Sequence, residues 1–222
     1  MKKTERATLL LDHHKDTFQN ILYHWRMRNR LFIYVLVLLA GMSLDTYSPD
    51  AMAHLFNGYV ARLLDAPPDA APLLDFKALG SVTWFLLLSL VISYYQRSIS
   101  VDRQYRYIDQ LEQQICTNMG DDLITREGKS YYSKTGAYKR GENSQRPWFI
   151  RFVGPMYTYF FPAVLVAFVC FKLYRQDWPP KEVTDLFNLL IGAVIVLYNG
   201  LYVQWVVSSR RPPAAKDAAV AP

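Results

Sequence analysis

Cations alternate with tyrosines in one polar stretch, DDLITREGKSYYSKTGAYKR, at positions 121–140. Basic side chains attract phosphate, and tyrosine rings pack against cations or stack on bases. The stretch therefore predicts a surface for an anionic lipid headgroup, a nucleotide or single-stranded nucleic acid. The alternative, which we prefer, is a juxtamembrane loop whose bases face acidic lipid. The candidate ligand- or partner-binding residues are Arg126, Lys129, Tyr131, Tyr132, Lys134, Lys139 and Arg140.

The segment Gly128-Lys129-Ser130 matches only the end of a phosphate-binding loop. That motif requires another glycine five positions before Gly128 and a buried strand before the loop. Position 123 is Leu, and no strand pattern precedes it. No motif therefore supports a nucleotide or nucleic-acid partner.

Enzymatic chemistry finds little support in the sequence. No Ser/His/Asp set with a recognisable nucleophile turn is present, and the four histidines and two cysteines have no zinc spacing. We therefore expect no catalytic residues, no metal, no cofactor and no enzymatic activity. A lipid-modifying enzyme built around Glu127 or His24 is the weaker hypothesis.

Four apolar runs frame the polar stretch, at positions 31–44, 78–95, 152–173 and 186–207. A bilayer requires roughly 20 apolar residues in a helix. The first run reaches that length only with its flanking residues, and Pro49 then ends the helix. The expected fold class is an all-α integral membrane protein with four transmembrane helices as two hairpins and a helical cytosolic insertion between them.

The same pattern predicts five segments. They are an N-terminal cytosolic amphipathic helix (1–30), a first transmembrane hairpin (31–95) with an extracytoplasmic connector (48–77), a cytosolic helical and loop domain (96–150), a second hairpin (151–207), and a disordered cytosolic tail (208–222). Within the connector, residues 52–64 predict a short interfacial helix.

The distribution of Lys and Arg predicts the orientation. Twenty of the 25 basic residues lie in the N-terminal flank, the central segment and the tail, and five lie in the two short connectors. Cytoplasmic loops are rich in basic residues. We therefore expect a multi-pass protein of a bacterial inner membrane with both termini in the cytoplasm. The same bias accounts for most of the net charge of +6 without a nucleic acid.

Two apolar stripes with helical spacing flank the first two spans. The N-terminal stripe comprises Leu10, His14, Phe18, Ile21 and Trp25. The second, which continues the second span to a stop near Gly120, comprises Val101, Tyr105, Ile108, Leu111, Ile115 and Met119. Asp109, Glu112 and Gln113 are expected on the opposite, polar face of that helix. The N-terminal helix is expected to extend the first span, to lie on the inner leaflet, or to pack against the central segment. The second stripe needs that helix, a second copy or another protein as its partner.

Small and polar residues within the spans indicate helix packing or self-association. The candidates are Ser89, Ser93, Gly192, Asn199 and Gly200. A weakly polar pore lined by several copies is the alternative. The run interiors lack ionisable residues, Lys172 being taken to mark the far end of the third run. Proton-coupled transport is therefore not expected.

The layout of two membrane hairpins around the REGKSYY loop resembles the small multi-span membrane components of anti-phage defence systems. The resemblance concerns overall organisation and no diagnostic motif, so no residue role follows from it. It implies a membrane sensor or effector whose cytosolic part receives a signal and whose spans assemble in or perturb the lipid. We accordingly expect a non-enzymatic, homo-oligomeric inner-membrane sensor, effector or scaffold whose cytosolic segment docks a protein or an anionic ligand. A channel or carrier for a small solute is the alternative function.

Overall fold

The computed structural model describes residues 3–63, 76–119 and 155–209. These residues are 96% helical, and no strand occurs among them. The prediction of an all-α chain is confirmed for this part. The predicted binding residues at 126–140, residues 64–75 of the connector and residues 210–222 of the C-terminal tail lie outside the described residues. The first two residues of the predicted tail belong to the last helix.

Two helices are much longer than a bilayer requires. Helix α1 spans Lys3–Tyr47 with 45 residues, and α3 spans Phe76–Met119 with 44. Neither contains a proline, and no glycine interrupts the 38 residues from Ser81 to Asn118. Helix α1 is therefore continuous through residue 30, where the predicted N-terminal helix met the first hairpin. Helix α3 is likewise continuous through residue 95, where that hairpin met the predicted cytosolic domain. Helix α3 ends at Met119, directly before Gly120, as the sequence predicted.

A short break at Ser48 separates α1 from α2, which spans Pro49–Leu63. Proline at the first helical position costs nothing, because that N–H has no intrahelical partner. The Ser48 carbonyl accepts the first bond of α2 from Met52 at 3.1 Å. No residue of α2 is buried. The short helix expected at residues 52–64 is therefore present, three residues longer at its start and one shorter at its end.

The third apolar run forms an α-helix with a π-helical segment at each end. A π-helical segment at Met156–Phe160 leads into α4 at Phe161–Lys172, and a second π-helical segment follows at Leu173–Asp177. The Phe161 N–H bonds to the Met156 carbonyl, five residues back. Pro162, which has no N–H to donate, stands in the first turn of α4. Pro162 therefore removes no hydrogen bond of α4, because the first N–H groups of an α-helix have no partner within that helix.

The last helix, α5, spans Val183–Ser209.

The chain as a whole divides into two compact units. The first unit comprises residues 1–39 and 89–151, and the second comprises residues 40–88 and 152–222. The core of the first unit includes Ile21, Val35, Val91, Tyr95, Val101, Ile108 and Ile115. The core of the second includes Trp84, Leu87, Leu165, Val169, Ile191 and Ile195.

Four helices are long and apolar enough to cross a membrane. They are Thr8–Tyr47, Leu79–Asn118, Met156–Asp177 and Val183–Ser209. At most 33% of the most apolar window of each is buried. Large apolar side chains such as Val37, Phe85 and Leu190 are exposed, as is usual for a surface that faces lipid. This pattern suggests a multi-pass membrane protein, in agreement with the expected number of spans.

Candidate functional site

The structure does not describe the ligand surface that the sequence predicts. Arg126, Lys129, Tyr131, Tyr132, Lys134, Lys139 and Arg140 all lie outside the described residues. The described part contains three other groups of polar contacts, one in the first unit and two in the second. In each group, side chains from different helical segments come within hydrogen-bond distance of each other.

In the first unit, histidines of α1 bind polar side chains of α3. His13 Nε2 lies 2.7 Å from the Tyr107 hydroxyl, and the two rings meet edge to face with centroids 5.7 Å apart. His24 Nδ1 lies 2.9 Å from an Arg97 guanidinium nitrogen. Because a guanidinium only donates, Nδ1 of His24 is the acceptor and its ring proton is on Nε2. These contacts join residues 73 to 94 positions apart in the chain.

Glu112 is the buried member of this group, with 1% of the residue exposed. Its carboxylate Oε1 lies 3.3 Å from His14 Nε2. The helical pattern of α3 placed Glu112 on the polar face, opposite the apolar stripe. That placement is wrong, because α1 covers this part of α3 and supplies His14 as a partner. The burial of Ile108, Leu111 and Ile115 fits the same pairing and supports packing of the N-terminal helix against the central segment.

In the second unit, Lys172 is buried at the end of α4 with 2% of the residue exposed. Its ammonium lies 2.7 Å from Asp45 Oδ2, 3.1 Å from the Thr46 hydroxyl and 2.5 Å from Gln176 Oε1. The Met42 carbonyl is a fourth acceptor at 3.3 Å. An ammonium has three donors, so these oxygens replace its hydration shell completely. Lys172 is therefore a buried ion-pair partner and not merely the end of a span.

A second polar pair lies just beyond Lys172. Asn188 Nδ2 donates to Asp177 Oδ1 at 2.7 Å, and this bond joins the second π-helical segment to α5. Both residues are buried, with 5% of Asp177 and 7% of Asn188 exposed. Asp185 caps the start of α5 by accepting the backbone N–H groups of Lys181 and Glu182 at 2.8 and 3.0 Å. Carboxylates therefore organise the whole turn before α5.

The predicted packing residues fall into two groups. Gly192 is buried in the second unit, where an added Cβ would lie 2.5 Å from Leu173 Cδ1, so a larger residue displaces that side chain. Asn199 is also buried, and its amide donates to the Ile195 carbonyl at 2.7 Å. By contrast Gly200 and Ser89 are exposed and Ser93 is half-buried. Gly192 and Asn199 therefore serve packing within the second unit.

Sequence reasoning missed the Asp45–Lys172 pair and the Asp177–Asn188 pair. One signal was available, since a lysine stood inside the third apolar run and an aspartate directly followed the first. In hydrocarbon such charges are expected to pair. For the second pair, the sequence indicated only that Asn188 could hydrogen-bond across helices, and it did not identify Asp177 as the acceptor.

The described residues contain no group of three or more His, Cys, Asp and Glu side chains placed to hold a metal ion. Cys116 and Cys170 are free thiols.

Comparison with known protein families, with curated proteins and with solved structures gives no match to this chain.

Proposed function

We propose that this chain is a non-enzymatic, homo-oligomeric inner-membrane protein that receives a signal at its cytosolic segment and passes it to its spans. The receiving surface is the basic, tyrosine-rich stretch around Arg126 to Arg140, and its ligand is a cytosolic protein or an anionic group. The response is a change in the assembly of the spans or in the lipid around them. Phage defence is the setting in which this activity would serve the cell.

The observation that carries the proposal is the length of α1 and α3. At about 1.5 Å per residue each helix is about 65 Å long, roughly twice the hydrocarbon core of about 30 Å. About half of each helix therefore lies outside the lipid, without a proline or a break where the span begins. A continuous helix transmits a rotation or a shift along its axis, whereas a flexible linker absorbs it.

The contacts between α1 and α3 in the first unit support the same proposal. His14 and Glu112, and likewise His24 and Arg97, tie the two helices side by side through buried or half-buried polar groups. The stretch 120–154 follows α3 directly, so a ligand bound there acts on the end of this helical pair. The positive-inside bias supports a cytosolic location for the pair and for both termini.

A challenge assay in bacterial cells tests the proposal. The full chain is expressed and the cells are exposed to a panel of phages, with the wild type compared with a variant in which Arg126, Lys129, Lys134 and Arg140 are replaced by Ala. We expect the wild type to lower the plaque count at least tenfold and the variant to lose that protection at an equal membrane level.

A matched control removes the same number of charges elsewhere. Arg6, Lys15, Arg26 and Arg103 are exposed in the described structure. Their replacement by Ala is expected to keep protection. Equal plaque counts for the wild type and the empty vector would contradict the defence role, and equal protection by both variants would remove the basic stretch from the mechanism. Solute flux through liposomes containing only the purified protein would instead favour a channel or carrier.

A further inference from the structure

Two buried oxygen atoms beside the start of α5 have no hydrogen-bond partner among the described residues. They are Asp177 Oδ2 and Asn188 Oδ1. Their residues are only 5% and 7% exposed, so bulk water does not compensate them. Buried polar atoms are nearly always paired, so each of these two oxygens requires a hydrogen-bond donor.

The two oxygens belong to one side-chain pair. Asn188 Nδ2 already donates to the other carboxyl oxygen of Asp177 at 2.7 Å. A carboxylic acid and a primary amide form a ring of two hydrogen bonds, in which the amide N–H donates to the acid carbonyl and the acid O–H donates to the amide oxygen. One proton on Asp177 Oδ2 would thus satisfy both unpaired oxygens.

The burial of Asp177 favours a proton over a metal ion. Removal of a carboxylate from water disfavours its ionised form, and the negative charges of Asp185 of α5 and Asp45 of α1 act in the same direction. The Asn188 amide and Lys172 of α4, which is itself paired with Asp45 at 2.7 Å, act in the opposite direction. A divalent cation would require more oxygen ligands, and the described residues hold no suitable cluster.

We infer that Asp177 and Asn188 form a proton-binding site, with one proton held on Asp177 Oδ2 and donated to Asn188 Oδ1. Loss of this proton leaves a buried carboxylate against an amide oxygen and weakens the contact between the second π-helical segment and α5. The connector before α5 thereby responds to pH. This inference does not depend on the proposed function.

Infrared spectroscopy of the full chain in lipid nanodiscs tests the site. At pH 7 we expect a carboxylic-acid C=O band in the wild type that is absent in Asp177→Asn, whose amide retains the two-bond ring. Asp50→Asn is the matched control, because Asp50 is an exposed carboxylate of the same unit, and it should keep the band. Asn188→Leu should keep the band but move it to higher frequency, since the acid loses its acceptor.

In the competing arrangement Asp177 is an ionised carboxylate that a water molecule bridges to Asn188. The wild type and Asp177→Asn would then have the same carboxylic-acid bands. That result would overturn the inference. If Asp177→Asn does not fold, an acid band in Asn188→Leu at the wild-type frequency would also overturn the inference.

Discussion

At the scale of single residues, the described structure is marked by charges that are buried and paired. Lys172 is 2% exposed, yet its side chain meets four oxygens, one of them a carboxylate. Removing one member of such a pair leaves the other buried and uncompensated, which costs more than the pair itself contributes. Asp45 is the more exposed member of the pair, with 22% of its side chain exposed against 2% for Lys172. Its removal therefore leaves the buried Lys172 ammonium without a carboxylate partner.

We predict that Asp45→Ala lowers the free energy of unfolding by about 3–5 kcal/mol, because the buried Lys172 ammonium loses its only carboxylate partner in the described structure. Denaturation of the purified protein in detergent measures this change. Asp102→Ala is the matched control, since Asp102 forms an exposed pair with Arg106 one helical turn away, and its loss should cost about 1 kcal/mol or less. Equal costs for the two variants would mean that Thr46, Gln176 and the Met42 carbonyl suffice for Lys172.

At the scale of elements, the pairing of α1 with α3 in the first unit combines an apolar interior with polar contacts at its edges. Ile21 of α1 and Ile108 and Ile115 of α3 are at most 1% exposed. His13 and His14 bind Tyr107 and Glu112 on the same stretch of α3. The apolar contacts supply the stability, and the polar contacts define the register in which the helices meet.

We expect Ile108→Ala to destabilise the first unit by about 2–5 kcal/mol, because deletion of a fully buried side chain loses its transfer energy and leaves a cavity. Limited proteolysis of the protein in nanodiscs, with sites in α1 and α3 mapped by mass spectrometry, reports this change as faster cleavage. Gln110→Ala on the exposed face of the same helix should cleave at the wild-type rate. Resistance of Ile108→Ala equal to that of the wild type would show that this helical pair does not depend on its apolar stripe.

At the scale of the whole molecule, four helices of sufficient length and apolarity suggest a multi-pass membrane protein. Large apolar side chains such as Val37, Phe85 and Leu190 are exposed on them, and the buried Lys172 is paired with Asp45. The side of the membrane on which each connector lies follows from the basic residues and remains a prediction.

We predict that reporters inserted after Gly58 and after Asp122 report opposite sides of the membrane, because cytosolic loops carry most of the lysines and arginines. Alkaline phosphatase, active only outside the cytoplasm, should be active at Gly58, and green fluorescent protein, which requires the cytoplasm, should fluoresce at Asp122. Fusions after Ser209 should behave as those at Asp122. The reverse pattern, or a chain that stays soluble without detergent, would contradict the proposed orientation and with it the cytosolic receiving surface.

The helices themselves were predictable, because their signals are local in the chain. Apolar runs of sufficient length indicated the four spans, Pro49 indicated the end of α1, and Gly120 the end of α3. The stripe through Ile108 and Ile115 was also correctly assigned to a buried face. A period of 3.6 residues and the absence of an N–H in proline act within a few residues of each other, so no partner is needed to recognise them.

The tertiary structure alone decided which polar side chains are buried and what they bind. Lys172 and Asp45 are 127 positions apart, and His14 and Glu112 are 98 apart. No local pattern connects such residues, because their contact depends on which helices pack together and at what height. The sequence by itself therefore determined helices long and apolar enough to span a membrane, while the packing of those helices determined the buried ion pair at Lys172 and the pair of unsatisfied oxygens at Asp177 and Asn188.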